Sequence, residues 1–240
     1  MLAGLSTTSP AAILLITSSS KICMLFIALM PYSIALTVFF FRSKINMESS
    51  FIISAASQKQ FPEHPYSEIG LMGKSNCGKS SLVNALLQRK KLAYRSATPG
   101  STVMINFYKV SAGDKGVFIL ADMPGYGYSK TNKAVSKGWN DLMEAFFNRG
   151  CLRKVFFLID IRRKIEDFEI KYLKYLYKLG VQLTVILTKN DKVKKSEIHK
   201  AMNQMKKVLE TEGKMTKLNF HSISSLKGTG VKDLQDSLFS

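Results

Sequence analysis

The sequence predicts an α/β fold: a mostly parallel six-stranded sheet with helices on both faces and one antiparallel hairpin at its edge. Three observations carry this. Short apolar runs alternate with amphipathic helical stretches from about Ser67 onward. A glycine-bounded loop, GKSNCGKS at residues 73–80, stands between the first such run and the first helical stretch. The second and third runs are joined only by Ser-Ala-Gly-Asp-Lys-Gly, too short for a parallel crossover, so that pair must turn back on itself.

In chain order, the strand-like runs are Glu68–Met72, Val103–Val110, Val117–Ala121, Val155–Ile159, Leu183–Thr188 and Leu218–Ile223. Between them, apolar residues recur at helical spacing over Lys79–Gln88, Ser136–Asn148, Glu166–Leu179 and Glu197–Glu210. No repeat or low-complexity tract interrupts residues 67–240, so residues 47–240 read as one domain.

Composition narrows the function. Of the 240 residues, 46% are apolar and 10% aromatic, which excludes a disordered chain. Cys23, Cys77 and Cys151 lack paired spacing, and His64, His199 and His221 are scattered, so neither a disulfide framework nor a Cys/His metal cluster is expected. The 35 basic residues against 17 acidic ones leave a net charge of +18, which points to a polyanionic partner.

Residues 1–46 differ from the rest. No acid precedes Glu48, and Ile22–Phe41 is an uncharged stretch long enough to span the ~30 Å of a bilayer core. Three readings stand: a membrane anchor, an organelle targeting segment, or an upstream extension of a chain whose translation starts at Met47. Without these residues, 32 basic and 17 acidic residues remain, net +15, so the basic character belongs to the domain.

The loop at 73–80 matches the phosphate-binding pattern GxxxxGK[ST]. Gly73 and Gly78 let the backbone curl so that successive N–H groups face phosphate oxygens, and the following helix adds its positive end. Lys79 is placed to reach the β- and γ-phosphates and Ser80 to ligate Mg²⁺. Cys77 reads as a small space-filling residue.

Residues 188–191, TKND, follow an apolar run about 110 residues later. Asp191 can accept the two donors of a guanine edge, a pair adenine lacks, while the Lys189 stem covers the base. This selects GTP and GDP over adenine nucleotides. DMPG, Asp122–Gly125, ends another run: Asp122 is placed to hold Mg²⁺ through water, and the Gly125 N–H to sense the γ-phosphate. Thr102, in ATPGSTV, is the candidate second hydroxyl on Mg²⁺, with Ser96, Thr98 and Ser101 close by as competing hydroxyls. In HSISSLKGTG, Ser224 and Ser225 offer a backbone cradle for the guanine O6.

Together these motifs resemble the EngB (YihA/YsxC) family of ribosome-associated GTPases, related to TrmE, Era, EngA and the septins. The resemblance rests on SAASQKQFP, GKSNCGKSSLVNALL, ATPGSTVMINFY, DMPGYGYSK, TKND and SSLKGTG, and covers about Ser54 to Leu238. It implies a P-loop GTPase G domain that hydrolyses GTP as a switch in large ribosomal subunit assembly and is needed for normal cell division and septation. It also implies a nucleotide and Mg²⁺ site. That site comprises Gly73, Lys74, Ser75, Asn76, Cys77, Gly78, Lys79 and Ser80; Gly100, Ser101, Thr102, Val103 and Met104; Asp122, Met123, Pro124 and Gly125; Thr188, Lys189, Asn190 and Asp191; and Ile223, Ser224 and Ser225. Ser80 and Thr102 are the metal ligands. The chain departs from the family at Lys74, Cys77 and Ser101, where Arg, Val and Lys are usual, and its C-terminal helix stops early.

The position after DMPG, where many GTPases carry a water-orienting Gln, is Tyr126, which predicts slow intrinsic hydrolysis. Asn76 is a candidate K⁺ ligand by analogy with related GTPases; the other reading is that it braces the loop. Lys79, Thr102, Gly125 and Asn76 are thus the candidate catalytic set, and Arg95 reads as a finger in cis or as a solvated base. The stretches 89–91, 162–164 and 192–217, and Tyr172, Tyr175 and Tyr177 interleaved with Lys171, Lys174 and Lys178, favour ribosomal RNA or the large subunit as partner. The competing readings are a half-buried helix and a Lys-rich composition bias. A cytoplasmic monomer is expected, with a membrane-tethered or organelle-targeted GTPase as the alternative if residues 22–41 are retained.

Overall fold

The computed structural model describes residues 47–89, 103–126 and 133–239. The 1–46 segment, with its three readings, and Gly100, Ser101, Thr102 and Arg95 lie outside the described residues. Seven strands form one sheet: β1 (Glu48–Ala55), β2 (Ser67–Gly73), β3 (Ile105–Ser111), β4 (Val117–Asp122), β5 (Leu152–Asp160), β6 (Gln182–Thr188) and β7 (Asn219–Ser222), in the order β1-β3-β4-β2-β5-β6-β7. The five strands from β4 through β7 in that order run parallel, and β3 is antiparallel to both its neighbours.

The sheet is therefore one strand larger than the six expected, and the β3–β4 hairpin does not form its edge. The added strand, β1, covers β3, with a register break between Phe51 and Ile53 and a Ser54 Oγ–Asn106 Oδ1 hydrogen bond of 2.6 Å. Its serine-rich sequence carries little apolar periodicity of its own, so pairing with β3 is what orders it.

Among the described residues, five α-helices flank the sheet: α1 (Lys79–Leu86), α2 (Lys133–Phe147), α3 (Asp167–Lys178), α4 (Lys195–Thr211) and α5 (Val231–Asp236). Leu82, Val83 and Leu86 of α1 pack with Val231 and Leu234 of α5 against Leu71, Tyr108, Phe156 and Ile186 on one sheet face. On the other face, Met143 and Phe146 of α2, Leu173 of α3 and Leu209 of α4 pack against Phe107, Val155, Phe157 and Val185. Strands buried on both faces must read as continuous apolar runs, as VFFLI of β5 does.

The central strand β2 has β4 on one side and β5 on the other: the connection leaving β2 runs to β3 on one side, and the connection leaving β4 crosses to β5 on the other. Such a reversal opens a crevice beyond the strand ends, and residues 73–80 lie there. Among the described residues, no helix is long and apolar enough to cross a membrane.

Candidate functional site

The loop after β2 needs its glycines for space and for backbone conformation. A Cβ at Gly73 would stand 2.7 Å from the Leu158 carbonyl oxygen and 2.6 Å from Cys77 Sγ, and Gly78 has φ of 108°, in the left-handed region. Asn76 also adopts a left-handed φ, 62°, and its side chain stands exposed on the loop. The Lys79 ammonium folds under the loop and donates to the carbonyls of Gly73 at 3.0 Å and Lys74 at 3.4 Å. It is buried, its hydrogen bonds go to two neutral carbonyls, and the nearby Asp122 carboxyl feels its charge. Cys77 is buried, and burial pushes its thiol pKa up, which suits a neutral space-filling side chain. Ser80, in the first turn of α1, is partly exposed.

Asp122 closes β4 beside Lys79. Burial lifts its carboxyl to about 6 against the pull of the ammonium, and its Oδ1 is buried with no hydrogen-bond partner. An orphaned buried carboxylate oxygen is costly unless something fills the space beside it, which fits a hydrated cation held by Asp122 and Ser80. After it, Met123 turns into the core, and its N–H donates to the Leu71 carbonyl. The Pro124 carbonyl accepts from Trp139 Nε1 at 3.4 Å. Gly125 lies directly on the phosphate loop: a Cβ there would meet the Ser75 nitrogen and Cα at 2.9 Å. The Ser75 N–H donates to the Tyr126 carbonyl at 3.1 Å.

The second half of the site gathers behind the loop. Thr188 Oγ1 donates to the Cys77 carbonyl at 2.6 Å, which ties the end of β6 to the phosphate loop. Lys189 has a left-handed φ of 60°, and its ammonium bonds the Asn76 carbonyl at 2.6 Å and Asp160 at 3.0 Å. The Asn190 N–H donates to the Ile223 carbonyl, and its side-chain amide reaches Ser222 Oγ at 3.3 Å. Ser224 Oγ donates at 2.7 Å to Asp191 Oδ1, and this bond foremost holds the Asp191 carboxyl below its usual range. Ser225 is half-buried beside it, while the Ile223 side chain is in the core. Val103 packs against the core and Met104 is exposed, immediately before β3.

Three residues here escaped sequence analysis. Asp160, at the carboxyl end of β5, accepts two bonds from the Arg162 side chain, at 2.9 and 2.7 Å, besides its contact with Lys189. Arg162 foremost, then Lys189, holds its carboxyl well below the usual carboxylate range. Glu169 is fully buried and accepts from Tyr126, and Glu166 pairs with Lys74 at 2.7 Å. The signal for Asp160 was present, an acid ending a buried strand just as Asp122 does. Glu169 gave none, since its partner is remote in sequence.

The family model described as "50S ribosome-binding GTPase" matches residues 68–190. Among curated proteins, a "Probable GTP-binding protein EngB" of Clostridium perfringens is 39% identical over 192 residues, covering 80% of this chain and 94% of that one. Its counterpart in Alkaliphilus metalliredigens is 37% identical over 191 residues, covering 79% and 88%. Two solved structures share the fold. One is of Aquifex aeolicus Era bound to GDP and aluminium fluoride, with a TM-score of 0.59 and 20% identity, covering 72% of this chain and 56% of that one. The other, of a "probable GTP-binding protein engB", has a TM-score of 0.54 and 23% identity, covering 72% and 97%.

Proposed function

Because the chain belongs to the EngB family of GTP-binding proteins and is a GTP-hydrolysing enzyme, we propose that it acts as a switch in assembly of the large ribosomal subunit. The match of residues 68–190 to a 50S ribosome-binding GTPase family carries this reading. The net charge of +18 supports it, since a surface this basic favours RNA phosphates. On this reading, normal cell division and septation depend on the chain through the supply of large subunits.

At the site, the N–H groups of Asn76 and of Gly78 to Ser80 receive the phosphates of GTP or GDP, and Lys79 exchanges its two carbonyl partners for β- and γ-oxygens. Ser80 and Thr102 would hold Mg²⁺, with Asp122 holding it through water; the unpartnered Asp122 Oδ1 supports the part given to Asp122. Held there, Mg²⁺ would supply positive charge against the phosphate oxygens. Asp191 accepts the guanine N1 and N2 donors with Ser224 fixing its orientation, the Lys189 stem lies over the base, and the backbone at Ser224 and Ser225 faces O6. The Gly125 N–H meets the γ-phosphate. Asn76 is the ligand for K⁺, a role that equal hydrolysis rates in K⁺ and Na⁺ buffers would remove.

The test is sedimentation of the native chain with ribosomal particles, in GDP and in a non-hydrolysable GTP analogue. Association with large subunits that depends on the analogue and falls steeply with added salt is the expected result. Association that ignores the nucleotide would overturn the switch.

A further inference from the structure

Among the described residues, seven large apolar side chains stand exposed, and three lie on one stripe of α3 and its C-cap: Phe168 at 45%, Tyr175 at 39% and Leu179 at 40%. Half-buried Tyr172 completes the stripe at helical spacing and anchors it to the domain. Its ring lies 5.7 Å from Trp139 and 6.0 Å from Phe147, with Phe168 5.5 Å away on one side and Tyr175 6.4 Å away on the other. The outer rings are thus held at fixed angles by a half-buried one, with one side open to solvent. Exposed Lys171 and Lys178 flank them along the helix. No acidic residue occurs between Glu169 and Asp191.

We propose that this face of α3 is a stacking platform for unpaired RNA bases, with Lys171 and Lys178 holding the connecting phosphates. The inference rests on the reading of the chain as a ribosome-assembly GTPase. Two features favour RNA over a protein partner. Protein interfaces are depleted in lysine at their centres, whereas here lysines alternate with the rings. Surfaces that take single-stranded nucleic acid combine open aromatic faces with cations along the backbone path, which is the arrangement on α3. The platform also reaches the residue that follows DMPG, because the Phe168 ring lies 5.5 Å from that of Tyr126.

The experiment measures binding of a fluorescent unstructured RNA, and of the same RNA annealed to its complement, to the full chain at fixed salt. Tighter binding of the single strand is expected. Y175A should weaken it about ten-fold while leaving duplex binding and GDP affinity unchanged, and Y175F, which keeps the ring, should retain wild-type affinity. K171A/K178A should weaken single-strand binding and flatten its salt dependence. Equal binding of the two RNAs, or Y175A with unaltered single-strand affinity, overturns the platform. If Y175A weakens association with large subunits yet leaves single-strand binding intact, the face meets protein, which also overturns it. Failure of the wild-type chain to sediment with large subunits would instead defeat the assembly reading.

Discussion

The Tyr126 hydroxyl donates a 2.6 Å hydrogen bond to Oε1 of Glu169, a fully buried carboxylate 43 residues further along the chain. Glu169 also accepts the Glu166 N–H at 2.8 Å and one from Arg163 at 3.3 Å, so the start of α3 and the residue after DMPG share one buried acid. The Tyr126 carbonyl meanwhile accepts from Ser75 in the phosphate loop. The side chain in the usual water-orienting position is thus tied away from the phosphates, with its ring stacked 6.1 Å from Phe157.

Y126F therefore acts on stability rather than on chemistry. Removing a donor to a buried carboxylate costs about 1–3 kcal/mol, read by urea unfolding, while single-turnover GTP hydrolysis should stay within about two-fold of wild type. A large fall in hydrolysis at unchanged stability would place the phenol in the reaction.

Asp122 makes stability depend on pH in a defined direction. Burial lifts its carboxyl to about 6, above the unfolded value near 3.8, so the folded chain binds more protons between those values and loses stability as pH rises through that window. D122N removes the penalty. Without nucleotide or divalent metal, it should be more stable than wild type at pH 7.5 by up to about 3 kcal/mol, a gain absent near pH 4. Thermal melts of both chains at the two pH values check this, and an equal difference at each would contradict it.

Ser224 bears on the base rather than on the phosphates. Its hydroxyl donates to Asp191 and accepts the Lys227 N–H at 3.1 Å, so S224A leaves the carboxylate less firmly oriented. Affinities for GDP and GTP should fall together by about ten-fold, measured by displacement of a fluorescent GDP analogue. A loss confined to one of the two nucleotides would contradict a role at the guanine.

Much of this was readable in the sequence because local physics dictated it. GKSNCGKS has few alternative uses between a strand and a helix, and TKND at the end of an apolar run lies beside that loop once parallel strands stack. The features that were missed are those set by distant partners. β1 is ordered by pairing with β3 and not by its own periodicity, and Glu169 becomes significant only when Tyr126 folds onto it. Met123 and Ile223, which the family resemblance implies for the nucleotide site, bury their side chains in the core, a placement that depends on distant packing. Tyr172 is half-buried, as the half-core reading of its helix expects.

The central claim, that guanine nucleotide at this site governs association with the large subunit, is tested most directly by D191N. An Asn there exchanges one acceptor for a donor, matching xanthine, whose O2 replaces the guanine amine. Sedimentation with large subunits would be measured for D191N with non-hydrolysable analogues of xanthosine triphosphate and of GTP. Association promoted by the xanthosine analogue and no longer by the GTP analogue is the predicted result. Association of D191N that still follows the GTP analogue, or that ignores both, would contradict the account.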